Sequence, residues 1–153
     1  MATRRQLAMD SLGSAMQRYQ RSVQSFDDAV GRRLELGPAD LRCLDWLVDG
    51  PMTAGQLGAA AGLRPAATTA MIDRLARRGL VERVSSPDDR RRVLVRMTEE
   101  GQRQTWVAYG PLVEEGQQLL SRFTIAELEL MRGQLEEMRE LTDRHRLRVE
   151  AGD

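Results

Sequence analysis

Between Ala61 and Pro65 one helix stops and another starts within four residues, and no other feature constrains the fold of this chain as tightly. Gly62 enters the left-handed conformation at a helix end at little cost. Pro65 has its φ fixed at the value a first helical residue needs, and a residue before proline avoids the helical region, so Arg64 is suited to the non-helical cap. Upstream, Thr53-Ala54-Gly55-Gln56 reads as a capping box, which opens a short helix running to about Ala61. Downstream, the helix opened by Pro65 runs to about Arg78, turns Thr68, Met71, Ile72 and Leu75 inward, and is closed by Gly79. Two short helices joined by a glycine-containing turn form a helix-turn-helix pattern.

The segment after Gly79 gives that pattern its weight. Leu80 to Val84 is a short β-prone run, Ser85-Ser86-Pro87-Asp88-Asp89 is turn chemistry, and Arg92 to Met97 alternates, with Val93, Val95 and Met97 on one face. A hairpin joined directly to a helix-turn-helix is a wing, and the tip of this one carries Arg90, Arg91 and Arg92 in succession.

The flanks are helical by pattern. Leu12, Met16, Tyr19, Val23, Phe26 and Val30 recur at spacings of 4, 3, 4, 3 and 4, a narrow stripe suited to packing along another helix. Gly37 and Pro38 break the chain before a second helix that runs to about Asp49, buried through Leu41, Leu44, Leu47 and Val48. Thr98 caps a fifth helix that Pro111 should bend, and the capping box Thr124-Ile125-Ala126-Glu127 opens a sixth, with Leu128, Met131, Leu135 and Met138 as its stripe. From about Arg146 the chain reads as polar and frayed. The fold class is therefore mostly α with a small β wing: a winged helix-turn-helix lobe over residues 36–101, with dimerisation helices in residues 1–35 and 112–148 of a single domain. Leu12, Met16, Tyr19, Val23, Leu128, Met131, Leu135 and Met138 are the expected dimer interface, because one copy alone would leave both stripes uncovered.

Composition narrows the function classes. The net charge is zero, with 23 arginines and 23 acids, but distribution matters more than the total. Between Arg64 and Arg96, arginines at 64, 74, 77, 78, 83, 90, 91, 92 and 96 face acids only at 73, 82, 88 and 89, whereas Glu114 to Asp143 is rich in acids. A basic middle in a neutral chain points to one face meeting a polyanion. Cys43 and His145, each the only one of its type, cannot assemble a metal site, so no metal and no cofactor is expected. Neither residue has the surroundings of a nucleophile-base pair, so an enzyme is not expected. Cys43, beside Leu44, reads as a buried small hydrophobe, and His145 as a surface or dimer-arm residue. The lack of an apolar run of membrane-spanning length, and of a signal-type core in Met1 to Asp10, leads to a cytoplasmic protein without a membrane partner.

The phrase from Asp89 to Gly101, Asp-Arg-Arg-Arg-Val-Leu-Val-Arg-Met-Thr-Glu-Glu-Gly, resembles the wing of the MarR family of transcription regulators. The segment from Ala70 to Arg83, containing Asp73-Arg74-Leu75 and Arg78-Gly79-Leu80-Val81, resembles that family's recognition helix and first wing strand. The match is good over about Leu36 to Gly101 and rests on pattern alone in the flanking helices. The resemblance implies a homodimer joined through its first and last helices. Such a dimer binds a palindromic operator in double-stranded DNA and usually represses genes until a small molecule or oxidant releases it.

On that reading the DNA-binding residues are Arg64, Ala66, Ala67, Thr68, Thr69, Ala70, Arg74 and Arg77 of the recognition helix, with Arg90, Arg91 and Arg92 of the wing. The resemblance makes Arg91 the groove residue. Asp89 would orient it by a charge-assisted hydrogen bond, with a turn-forming aspartate as the alternative, and the two roles are compatible. Arg74 has two open roles, gripping phosphate or bracing Asp73 and the wing. Alanine stands at position 70, where relatives often carry a long polar residue, so base readout leans on Thr68, Thr69 and contacts between alanine and thymine methyls. The resemblance also offers Cys43 as a redox sensor, but the peroxide-sensing relatives carry their cysteine near the start of the first helix, where this chain has none, and no resolving cysteine exists. Met16, Tyr19, Trp46, Trp106 and Tyr109 are candidates to line an effector pocket, with core packing as the alternative for each. The competing reading of the whole chain is a winged helix used for protein contact without specific DNA binding.

Overall fold

In a computed structural model of the chain, which describes residues 3–152, six helices and one hairpin follow the expected order. Residues 1, 2 and 153, the ends of the expected domain, lie outside the described residues. The elements are α1 (Arg4–Leu34), α2 (Pro38–Val48), α3 (Ala54–Ala61), α4 (Pro65–Arg77), β1 (Val81–Ser85), β2 (Val93–Met97), α5 (Glu99–Leu120) and α6 (Ile125–Ala151). No helix among the described residues is long and apolar enough to cross a membrane. By packing, the chain forms two compact units, one up to Ala108 and one from Tyr109, so the boundary falls inside α5.

The first unit owes its core to the helix-turn-helix and the wing. Cys43, Leu44 and Leu47 of α2, Leu57 of α3, Met71, Ile72 and Leu75 of α4, Leu80, Val81 of β1, and Val95 and Met97 of β2 form one buried cluster. Alternation in the wing aims Val95 and Met97 at this cluster, while Val93, nearer the tip on the same face, stays exposed because the hairpin has left the core behind. β1 and β2 pair antiparallel with Val81 opposite Met97 and Ser85 opposite Val93. Met52, just before α3, exchanges two backbone hydrogen bonds with Val95, at 3.0 and 2.7 Å, and so adds a one-residue third strand that anchors the wing.

Two helix ends extend beyond the sequence expectation. α1 begins eight residues earlier, at Arg4, because Thr3 accepts the Gln6 N–H at 3.1 Å and caps it; periodicity alone does not register a polar first turn. α5 holds Pro111 inside it, as expected, and stays helical there although proline supplies no donor to the preceding turn. α6 continues to Ala151 and ends at Gly152 in the left-handed region, and Arg146 pairs with Glu150 one turn on, so the segment read as frayed is helical.

The long helices bury little by themselves. In α1 only Val30 and Gly31 are buried, and in α6 no residue is. Leu12, Tyr19, Val23, Met131, Leu135 and Met138 are all exposed, while Met16 and Leu128 are half-buried.

Candidate nucleic-acid interface

The site is built on the α3–α4 turn and on the wing. Thr53 and Gln56 cap each other as the sequence requires: the Gln56 N–H donates to Thr53 Oγ1 at 3.2 Å and the Thr53 N–H to Gln56 Oε1 at 2.9 Å. Gly62 closes α3 at φ 67°, where a side chain would be strained, and Arg64 caps α4 in an extended conformation. The two helices pack closely because Gly58 has no side chain. A Cβ there would lie 2.6 Å from Thr68 Oγ1.

That contact corrects one expectation. Thr68 is 2 % exposed, wedged against Gly58, and its hydroxyl donates to the Arg64 carbonyl at 3.1 Å. It is a packing residue and cannot reach DNA from there. Ala66, Ala67, Thr69 and Ala70 are exposed on the outer face of the first two turns. The Thr69 hydroxyl donates back to the Pro65 carbonyl at 3.1 Å.

The arginines of α4 divide by partner. Arg74 does not brace Asp73. It crosses to α2, where Nη2 lies 2.5 Å from Asp40 Oδ1 and Nε 3.3 Å from Oδ2, and this carboxylate also accepts the Gly37 N–H at 3.0 Å. Asp40 is 3 % exposed, so the pair is one-sided: a buried anion capping α2 is met by a guanidinium still partly in water. The hydrogen bond to Asp40 raises the Arg74 pKa further above its ordinary value. Asp73 is braced by Arg83 of β1, at 2.6 Å, which ties the recognition helix to the wing. Arg78, just past the helix, donates to the Glu35 and Leu34 carbonyls at 2.7 and 2.6 Å and satisfies free acceptors at the end of α1. Arg77 makes one bond, from Nε to the Asp73 carbonyl at 3.3 Å, and is otherwise exposed.

At the wing tip, Asp89 acts on the backbone. Its Oδ1 accepts the Arg91 N–H at 2.9 Å, its carbonyl accepts the Arg92 N–H at 2.9 Å, and the Arg92 carbonyl accepts the Ser86 N–H at 2.8 Å. Of the two readings of Asp89, the structure shows the turn, in which an aspartate fixes the chain two residues on, rather than a grip on the Arg91 guanidinium. Arg90, Arg91 and Arg92 are exposed and none appears in an ion pair among the described residues, whereas Arg96, lower on the wing, is paired with Glu82 at 2.8 Å. The structure thus spends Arg74, Arg78, Arg83 and Arg96 on its own architecture and leaves Arg64, Arg77 and the three tip arginines facing solvent.

Asp40, Arg78 and Met52 escape sequence reasoning because their partners are distant in the chain. Only Asp40 leaves a local signal, as an acid three residues after Gly37 at a helix start. Of the candidate effector residues, Tyr19, Trp46 and Trp106 are exposed and Met16 and Tyr109 half-buried. Cys43 is fully buried, and burial, then the nearby Asp40 charge, push its thiol up to about 11, so it stays protonated and unreactive near neutral pH.

A sequence profile of the MarR family matches residues 34–92, the stretch that holds the helix-turn-helix and the wing tip. The chain is 39% identical over 107 residues to the uncharacterized HTH-type transcriptional regulator YcgE of Bacillus subtilis (strain 168), an alignment spanning 69% of this chain and 70% of that one. Its fold is similar to that of a MarR family protein from Bacillus stearothermophilus, with a TM-score of 0.66 at 22% identity over 94% of this chain and 99% of the other. It is also similar in fold to a mutant of MepR from S. aureus solved bound to an oligodeoxyribonucleotide, with a TM-score of 0.56 at 18% identity over 86% and 97% of the two chains.

Proposed function

Because the chain belongs to the MarR family and is a DNA-binding transcription regulator, we propose that it grips a palindromic operator as a homodimer and represses transcription until a small molecule releases it. The observation that carries this reading is the division of the arginines. A lobe that pairs off its inner arginines while presenting Arg64, Arg77, Arg90, Arg91 and Arg92 on one winged helix-turn-helix has its unneutralised charge where a duplex would lie. The wing arginines enter the minor groove, where a narrow A-tract concentrates negative potential, and α4 lies in the adjacent major groove. MepR, similar in fold and solved bound to an oligodeoxyribonucleotide, is in keeping with the same use of the fold.

The dimer follows from apolar faces that one chain does not cover. Two copies joined along α1 and α6 bury Leu12, Tyr19, Val23, Met131, Leu135 and Met138, and two recognition helices so fixed demand a two-fold operator. The small-molecule release rests on the family and on exposed aromatics, Tyr19, Trp46 and Trp106, that can line a cleft in the assembly. The regulator acts in the cytoplasm, without a cofactor or catalytic step.

Selection of bound duplexes from a random pool tests the reading in one experiment. A palindromic consensus is expected, and a pool that enriches no motif would sink it. On the enriched duplex, Arg91→Ala should weaken binding by about tenfold to a hundredfold, on the order of 1–3 kcal/mol, while leaving the oligomeric state and melting temperature unchanged. Unchanged affinity would remove the wing from the mechanism.

A further inference from the structure

The face that α4 turns outward is unusually poor in hydrogen-bonding groups. Its first two exposed turns offer Ala66, Ala67, Thr69 and Ala70. Thr68 is buried against Gly58, and the Thr69 hydroxyl proton is already given to the Pro65 carbonyl. One turn further on, Asp73 is held by Arg83 and Arg74 by Asp40. The side chains that would donate a bidentate pair to guanine or adenine are therefore absent from the first two turns of this ridge or engaged elsewhere one turn on, and the exposed Arg77 stands at the far end of the helix, where it is placed for phosphate.

What the ridge does offer is a row of methyl groups on a helix that can approach the groove floor closely. Thymine is the base that presents a methyl group in the major groove. Resting on the reading of the chain as a duplex-binding dimer, we propose that α4 reads its half-site through thymine 5-methyl groups packed against Ala66, Ala67 and Ala70. Base-edge hydrogen bonds play no part in that reading. Polar grip comes from outside the ridge, from Arg64 at the helix cap and from the wing tip, and it fixes position without reading bases. Each methyl shielded by an alanine is worth about fourfold in affinity, from about 0.8 kcal/mol per buried carbon.

The test uses the full chain and the duplex enriched from a random pool, synthesised in three forms. One is natural. One has deoxyuridine for thymidine in the half-sites, which deletes the methyl and keeps the pairing and the O4 acceptor. One has 7-deazapurines, which delete the N7 acceptor. The deoxyuridine form should bind about tenfold or more weakly over two half-sites, and the 7-deaza form within about twofold of natural. In Ala66→Gly, Ala67→Gly and Ala70→Gly the deoxyuridine penalty should shrink, because the protein's half of the contact is gone. A deoxyuridine duplex that binds normally, a 7-deaza duplex that binds tenfold worse, or a penalty undiminished in all three glycine variants would each overturn the inference and leave the regulator reading standing. Failure to enrich any duplex would instead fall on the regulator reading, and the inference with it.

Discussion

If the chain is the proposed homodimer, Leu135→Arg is expected to convert it to monomer and to abolish tight duplex binding in the same step. In the single chain Leu135 is 65% exposed on a helix with no buried residue, so the substitution removes nothing from the core and each lobe should stay folded. In a two-fold dimer every change is made twice. Losing two buried leucine side chains costs about 3–6 kcal/mol, and placing two unpaired guanidinium groups in an apolar seam adds to that. Half an operator then meets one lobe and the affinity gained by linking two lobes disappears. Light scattering and circular dichroism on the same sample check both halves of the expectation. A variant that stays dimeric would move the interface off α6, and one that unfolds would show that α6 carries packing a single chain does not reveal.

The second large effect is on stability. A Cβ built on Gly101 would stand 2.1 Å from the Leu80 carbonyl oxygen, and the obstacle is backbone, which cannot swing aside as a side chain can. This is the joint where α5 meets the end of the recognition helix. Thr98 donates its hydroxyl to the Gly79 carbonyl at 2.5 Å and accepts the Gly101 N–H at 2.9 Å, while its own N–H reaches the Leu80 carbonyl at 3.1 Å. Gly101→Ala must open all of these together. Alanine is the better helix former by about 1 kcal/mol, so propensity alone predicts a gain. The close approach reverses the sign, to a loss of about 3 kcal/mol and a fall of about 6–12 °C in melting temperature. A melting temperature equal to or above that of the parent chain would show that the joint yields cheaply.

The wing and the helix-turn-helix are legible in the sequence because their signals are local. Gly62, Pro65 and the Thr53 and Thr124 capping boxes each act within four residues, and the alternation Val93, Val95, Met97 needs no partner to be seen. The roles of single polar side chains are not legible, because partners decide them. Nothing near Arg74 in the chain indicates Asp40, which lies 34 residues away, or that Asp73 belongs to Arg83. Thr68 sits on the seam between two readings: its place in the inward stripe is plain, yet its residue type suits it to DNA. The absence of a side chain at Gly58 settles the matter for packing. Asp89 shows the same limit, since an aspartate two residues before an arginine can hold either its side chain or its backbone, and only the turn geometry tells which.

The dependence of duplex affinity on salt tests the central claim most directly. If about six phosphates are met by the exposed arginines of two lobes, affinity should fall about a thousandfold between about 50 and 200 mM salt, with a logarithmic slope near −5. A wing built for protein contact would bind duplex weakly and with a shallow slope. Titration of the labelled duplex at the two salt concentrations, read by fluorescence anisotropy, distinguishes these outcomes. A steep loss is the result the account predicts for a lobe that meets DNA through exposed arginines, and a flat response contradicts it.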